Sequence, residues 1–321
     1  MKRRAFISGG LATASMLHSA LAQTSAKPRH VGLFHVGLDH VPPSVAALRG
    51  GLAGLGYKEG TSLRFDWRNQ ASEATARRAA ADFIREGVDV IIPIENQALR
   101  AAVAATKRVP IFFMQVVDPV AEGVVQTFAQ PGGNVTGLVA PDLTAKRVEV
   151  FSELEGVPRR LLGLTTVNDA RTESLRLVRT VARSRNVELV ERSIATRSDI
   201  ERAFREFGPG EVGAVVMMSL SLGTNFHTEM LTFAAQRSVP IIAHRLEWAE
   251  EGALLSYGVD FTEMGRVAAL YVDKILKGAP PAQIPVDEAA GIRLIVNLKT
   301  ARSLGITIPT ALLLRADEVI E

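Results

Sequence analysis

Polar residues stand just beyond several short apolar runs, and their chemistry is that of ligand capture. Asp39 and His40 follow residues 31–36, Glu95, Asn96 and Gln97 follow residues 88–94, and Asp118 follows residues 111–116. Later in the chain, Asn168 and Asp169 follow residues 161–166, Ser219 follows residues 212–218, and His244 and Arg245 follow residues 239–243. In open parallel sheets, ligands bind beyond the carboxyl ends of the strands, where loops and helix N-termini meet. Asp142 and Tyr257, near the expected joint and in the second half, complete the candidate set. Carboxylates, amides, a hydroxyl and a guanidinium converging on one cleft suit a small polar ligand enclosed by closure. Free backbone N–H groups of helices beginning near Gln97 and Ala170 offer a place for a ligand carboxylate. Phe34, Trp248 and Tyr257 are candidate aromatic walls. Each position also has a plainer role: Asp118-Pro119 starts a helix, and Asn168-Asp169 makes a turn or cap.

Signals of catalysis are weak by comparison. The chain has no Gly-x-Ser-x-Gly elbow and no Walker pattern, and His35-Val36-Gly37-Leu38-Asp39 stands where a dinucleotide fingerprint would follow the first strand. His30, His35 and His40 lie near one strand but lack a spaced carboxylate partner such as His-Glu-x-x-His, so neither a metal nor a cofactor is expected. Asp39 and His40 with Ser219 have the residue types of a hydrolytic set, yet nothing in their spacing supports one. Pro131-Gly132-Gly133-Asn134 has the composition of an anion cradle and equally that of an ordinary turn.

The elements that must position these residues are legible from hydrophobic pattern. Short apolar strands at residues 31–36, 63–67, 88–94 and 111–116 alternate with amphipathic helices at 44–56, 72–85 and 97–107. Ser72, with Glu73 behind it, caps the second helix. The pattern restarts with strands at 161–166, 187–192, 212–218 and 239–243 and helices at 173–186 and 200–207, the latter capped by Ser198-Asp199. Continuous apolar strands between helices indicate parallel sheets covered on both faces, hence an α/β chain of two similar lobes. The joint is expected in the irregular region 131–141. A strand at 254–258, a helix at 261–277 and a strand at 292–296 follow, so the chain crosses between lobes more than once, forming a hinge over a cleft.

Composition narrows the function further. Of 321 residues, 47% are apolar and 22% charged, an ordinary globular balance. The formal charge is +3, and Lys2, Arg3 and Arg4 carry it; the rest of the chain holds 34 basic and 34 acidic residues. A neutral body with no basic aromatic stripe argues against a nucleic-acid partner. Residues 1–22 read as an export leader: a charged start, a short Gly/Ala/Ser-rich apolar stretch and Ala20-Leu21-Ala22 before Gln23. Arg3-Arg4-Ala5-Phe6-Ile7 has the form of a twin-arginine signal. Nowhere does the sequence reach the roughly 18 uninterrupted apolar residues of a membrane span. With no cysteine for a disulfide or a lipid anchor, a free periplasmic protein is expected.

Several stretches in order and spacing then resemble one family. They are Leu55-Gly56-Tyr57-x-Glu59-Gly60, Val88-Asp89-Val90-Ile91-Ile92, Asp118-Pro119-Val120 and Pro131-Gly132-Gly133-Asn134-Val135-Thr136-Gly137. Ser256-Tyr257-Gly258-x-Asp260, the run 271–278, Pro285-Val286, the run 297–301 and the terminal 315–320 continue the match. The chain is similar to ABC-transporter substrate-binding proteins of the tryptophan/tyrosine-binding type. The resemblance implies a type I periplasmic-binding fold: two Rossmann-like lobes, three crossings and a ligand in the hinge cleft. By that analogy the first lobe takes residues 29–139 and 258–283, and the second takes 140–257 and 284–321. The implied partners are a small-molecule ligand, an amino acid or related compound, and an inner-membrane ABC permease, with the protein itself a monomer and not an enzyme. A ligand-sensing subunit of a membrane receptor uses the same fold, and a two-lobed periplasmic enzyme is the remaining alternative. One departure stands out. The family usually has Thr or Ser and then Pro after the third strand, where Glu95-Asn96-Gln97 stands here. A carboxylate there repels a ligand carboxylate and pairs with an ammonium or another cation.

Overall fold

The computed structural model describes residues 27–37, 41–166, 173–208, 210–219, 222, 226–288 and 291–321. The leader, and the candidates Asp39, His40, Asn168 and Asp169, lie outside the described residues. The described chain forms two α/β lobes. The first holds β1 (Arg29–Val36), β2 (Leu63–Gln70), β3 (Val90–Pro93), β4 (Ile111–Val116), β5 (Val135–Val139) and, from far along the sequence, β11 (Asp287–Glu288). Their order is β11-β5-β4-β3-β1-β2, all neighbours parallel. The second sheet runs β13 (Glu318–Ile320), β12 (Ile292–Asn297), β10 (Leu255–Val259), β9 (Ile241–Ala243), β8 (Ala214–Met217), β6 (Arg160–Thr165) and β7 (Glu188–Ser193). Only the β10–β12 pair is antiparallel.

Each sheet is buried on both faces, which is why its strands read as continuous apolar runs. Along β3 and β4, Val90, Ile92, Phe112 and Met114 point into one core with α1 (Pro43–Gly54) and the helix Phe261–Leu276. Ile91, Ile111 and Phe113 point the other way, into the core under α2 (Glu73–Arg85) and α3 (Glu95–Ala105). The second lobe alternates likewise: Ala214 and Val216 face one core, Val215 and Met217 the other. Full burial of each such side chain contributes about 1.5–3 kcal/mol, so the four half-cores make both lobes self-supporting platforms for the residues at their strand ends.

Several boundaries differ from the sequence expectation for identifiable reasons. Residues 135–139 form strand β5, not an irregular joint; Gly137 interrupts its apolar pattern because a Cβ there would lie 2.2 Å from the Phe113 carbonyl oxygen. The joint falls just after it, before α4 (Thr144–Glu153), a helix with no counterpart in the sequence reading. The helix Arg197–Arg205 starts earlier than expected and is capped by Thr196, whose Oγ1 accepts from the Asp199 N–H while Asp199 accepts from the Thr196 N–H. Residues 284–288 belong with the first lobe: Ile284 and Val286 sit in its cores, and β11 pairs with β5. The chain therefore crosses between lobes at β5–α4, at β10 to the Phe261–Leu276 helix, and at β11–β12.

Candidate functional site

A cavity of about 520 Å³ opens where the carboxyl ends of both sheets face each other across the crossings. The first lobe supplies Glu95, Asn96, Gln97 and Arg100 from α3, Gln115 from β4, and Val117, Asp118, Ala121 and Glu122 from the turn after it. Ala140, Asp142 and Phe261 come from the crossings, and Ser174, Met218, Ser219, His244 and Arg245 from the second lobe. Of the expected ligand-binding residues, Glu95, Asn96, Gln97, Asp118, Asp142, Ser219 and Arg245 are thus brought together.

Glu95 is the central charge. Its Oε1 lies 3.2 Å from Nε2 of the buried His35 and 3.9 Å from Nη2 of Arg245, so it faces its own lobe on one side and the opposite lobe on the other. The guanidinium of Arg245 lies over the Phe261 ring, 4.6 Å from its centre, an attractive cation–π geometry. Glu95 has φ of 69° and Gln115 has φ of 59°, both in the left-handed region that non-glycine residues rarely adopt. The two are neighbours, Glu95 just past the end of β3 at the start of α3 and Gln115 in β4, each following one residue of the Ile94–Met114 bridge. Gln115 Nε2 donates to the Ser44 hydroxyl on α1 at 2.8 Å.

The remaining polar groups are held by neighbours. The Asn96 amide donates to Glu122 at 3.0 Å and accepts from the Val117 N–H at 3.2 Å, while Arg100 donates to Glu122 at 3.1 Å. Asp118 accepts from the Ala121 N–H at 2.9 Å, closing a turn in place of the helix start expected there. Asp142 accepts from the Thr144 N–H at 2.9 Å, the Thr144 hydroxyl at 2.5 Å and the Ser174 hydroxyl, fixing the first crossing. Ser219 accepts from the Thr166 N–H at 2.9 Å and pairs with the Thr165 hydroxyl at 3.1 Å. Behind them Arg147 is fully buried. It donates to the Tyr257 carbonyl at 3.2 Å and the Thr144 hydroxyl at 2.6 Å, joining the first two crossings. Burial lowers its pKa to about 10, against the opposing pull of Asp142. His244 is also buried, and desolvation, reinforced by Arg245 and Arg147, pushes its pKa well below the ordinary histidine value, so it is neutral near pH 7.

The aromatic expectations need correction. Tyr257 does not line the cavity; its side chain is half-buried against cores of both lobes. Phe34 and Trp248 are core residues, Phe34 packing near Phe83 and Trp248 against His227 and His244. Phe261 is the aromatic residue that faces the cleft. Gln115 was absent from the expected site although it is the one polar residue in the run 111–116, a signal available in the sequence. Arg100, Glu122 and Ser174 were also missed, since each lies several residues beyond the apolar run that precedes it in the sequence.

The chemistry available here is recognition. Both cavity hydroxyls of the described residues, Ser174 and Ser219, are engaged with Asp142 and with Thr165 and Thr166, and neither is hydrogen-bonded to a histidine. His30, Asp66 and Glu86 cluster at the opposite, amino-terminal end of β1 with ligand atoms within 4.8 Å of one another. Arg64 and Arg68 occupy both carboxylates there, at 2.6–3.0 Å, making the cluster an ion-pair network. Among the described residues, no helix is long and apolar enough to cross a membrane.

Comparison with known proteins agrees with this geometry. Residues 35–320 match the family model of ABC transporter substrate binding proteins. A tyrosine-binding protein of Clostridioides difficile is 26% identical over 285 residues, covering 87% of this chain and 82% of that one. The crystal structure of a conserved domain protein from Vibrio cholerae is 31% identical, covers 91% of this chain and 100% of its own, and superposes with a TM-score of 0.80. A Streptococcus pneumoniae ABC domain in complex with L-Trp, 22% identical and with the same coverage, has the same fold at a TM-score of 0.81. With the match spanning both lobes and all three crossings, the chain belongs to the family of ABC transporter substrate-binding proteins.

Proposed function

We propose that this protein captures a small polar solute, an amino acid or a related compound, in the cleft between its lobes and presents it to an inner-membrane ABC permease. The observation that carries the reading is the placement of Glu95 and Arg245, one from each lobe, facing each other across one cavity at the hinge. A ligand touching both lobes stabilises the closed arrangement over the open one by its differential contacts, and closure presents a joint surface to the permease. No bond needs to be made or broken, so the protein acts as a binder and not as an enzyme. The amino acids bound by the Clostridioides and Streptococcus relatives support the solute class. The basic, small-residue leader supports export, by the twin-arginine route, to a periplasm where the protein works as a soluble monomer.

A thermal-shift screen of the mature chain against amino acids, small carboxylates and polyamines tests this. A ligand at 100 times its Kd adds about 2.7 kcal/mol of stability, several degrees in Tm for a protein of this size. A screen without a single hit overturns the reading, as does chemical turnover of any hit.

A further inference from the structure

We infer that His30, Asp66 and Glu86 form a binding site for a divalent cation of the zinc type, at the end of the first lobe away from the cleft. The inference is independent of the solute-binding reading above.

The fold assembles the donor set. His30 stands on β1, Asp66 on neighbouring β2 and Glu86 directly after α2, and one ligand atom from each lies within 4.8 Å of the other two. No spacing motif marks the set, because its carboxylates come from two later elements. The state of His30 is a separate observation. The residue is only 3% exposed, yet its Nε2 makes no hydrogen bond and faces Asp66 Oδ2 at 3.7 Å. A buried ring nitrogen left without a partner is costly, and a cation between it and the carboxylates satisfies it. Zinc ligands at about 2.1 Å in a tetrahedron lie about 3.4 Å from one another, so the His30–Asp66 pair is already near the spacing of one coordination edge. The ring is seated edge-on against Phe83, with centroids 6.0 Å apart, and the His30 backbone N–H donates to Asp89 at 2.7 Å, fixing the strand end. One imidazole with two carboxylates suits zinc and its neighbours; magnesium and calcium take sets made of oxygen.

The two arginines of the network set the terms of entry. Arg68 donates through Nε to Asp66 Oδ1 at 3.2 Å and lies 4.0 Å over the Phe83 ring. It can keep both contacts while its Nη2 releases Asp66 Oδ2 and Glu86, acting as an outer partner that orients a ligating carboxylate. Arg64 donates to Asp66 Oδ2 at 3.0 Å and to Glu86 Oε2 at 2.6 Å from a half-exposed side chain. Arg64 is therefore the internal competitor: it neutralises the carboxylates without a cation and swings into solvent with one.

The test is calorimetric titration of the untagged, chelator-treated mature protein with zinc chloride alone. One equivalent should bind, and magnesium chloride should not. Removing even an outer partner of a metal ligand costs about 10–100-fold in affinity, so His30→Gln and Glu86→Gln should each weaken zinc by at least about tenfold. Glu86 is partly exposed and carries the test should the buried His30→Gln variant fail to fold. Arg64→Ala should tighten zinc by about threefold. A wild type that binds no zinc, magnesium bound as tightly as zinc, or a folded Glu86→Gln protein within about twofold of the wild type overturns the site. An Arg64→Ala affinity equal to or below that of the wild type overturns the role of Arg64 as competitor.

Discussion

Replacing Arg147 by methionine should change stability by only about 0–3 kcal/mol, although it deletes a fully buried cation from the hinge. Two opposing terms set the figure. The guanidinium donates to the Tyr257 carbonyl and the Thr144 hydroxyl and lies 3.9 Å from Asp142. Losing two hydrogen bonds from a charged donor costs about 1.5–3 kcal/mol each. Against this, burial has lowered its pKa to about 10, which corresponds to about 3 kcal/mol of disfavour for the charged form. Methionine recovers that and keeps most of the volume. Removing one partner of a buried ion pair normally costs about 3–5 kcal/mol because the other charge is stranded. Asp142 escapes that fate: it retains some solvent exposure and keeps its donors Thr144 and Ser174. Arg147→Ala lacks the compensating volume and should cost a further 2–5 kcal/mol or so through the cavity it leaves. Urea unfolding of the three proteins, with m values compared to confirm a common transition, reads the difference. Methionine proving as damaging as alanine would refute the reasoning, since charged contacts rather than volume would then hold the crossings.

Other expectations follow from the same site. Because the folded state lowers the pKa of His244, its contribution is intact above about pH 6.5 and is lost as the pH falls, when the unfolded chain takes up the proton first. Stability should drop by about 1.4 kcal/mol per pH unit below that point, and denaturation of His244→Phe at pH 7.5 and 5.5 should show a shallower decline; equal slopes would exclude His244 as the cause. At Gly258 an added Cβ would sit 1.9 Å from the His244 carbonyl oxygen. Gly258→Ala should therefore destabilise by about 1–3 kcal/mol and displace Arg245 from the cleft, measurable as weaker ligand binding in a protein that still folds; unaltered Tm and affinity would show that β10 has room to move.

The lobes were readable because the central strands are buried on both faces, and this leaves a one-dimensional trace: apolar runs such as 88–94 and 212–218 separated by amphipathic helices. Polar residues just beyond those runs were readable for the same reason, and Glu95, Asp118, Ser219 and Arg245 do meet in one cavity. Where the reading failed, tertiary contacts had overridden local pattern. Gly137 disguised β5 because the neighbouring strand approaches too closely for a side chain. Arg147 has no local pattern that marks it, and only the meeting of two crossings around it makes it a buried tie. The short β11 could not be assigned to the first lobe, since two residues carry no period and their partner lies far back in sequence.

The pair Glu95 and Gln115 shows why a binding site resists sequence reasoning even when its residues are in view. Residue type placed Glu95 in the cleft; nothing in its type reveals a φ of 69° or the matching φ of 59° at Gln115. A strand that simply continued would send alternate side chains into the two cores, as β3 and β4 do up to Ile92 and Met114. The positive φ at Gln115 marks a bulge in β4, where its pairing with β5 shifts register between Met114 and Val116, and the positive φ at Glu95 turns the chain from the end of β3 into α3. The conformation is unfavourable locally, and at Gln115 a long-range hydrogen bond to Ser44 on α1 helps hold it. Local rules are broken here while they hold through the rest of both sheets, and breaks of that kind concentrate where a fold serves a ligand instead of its own stability.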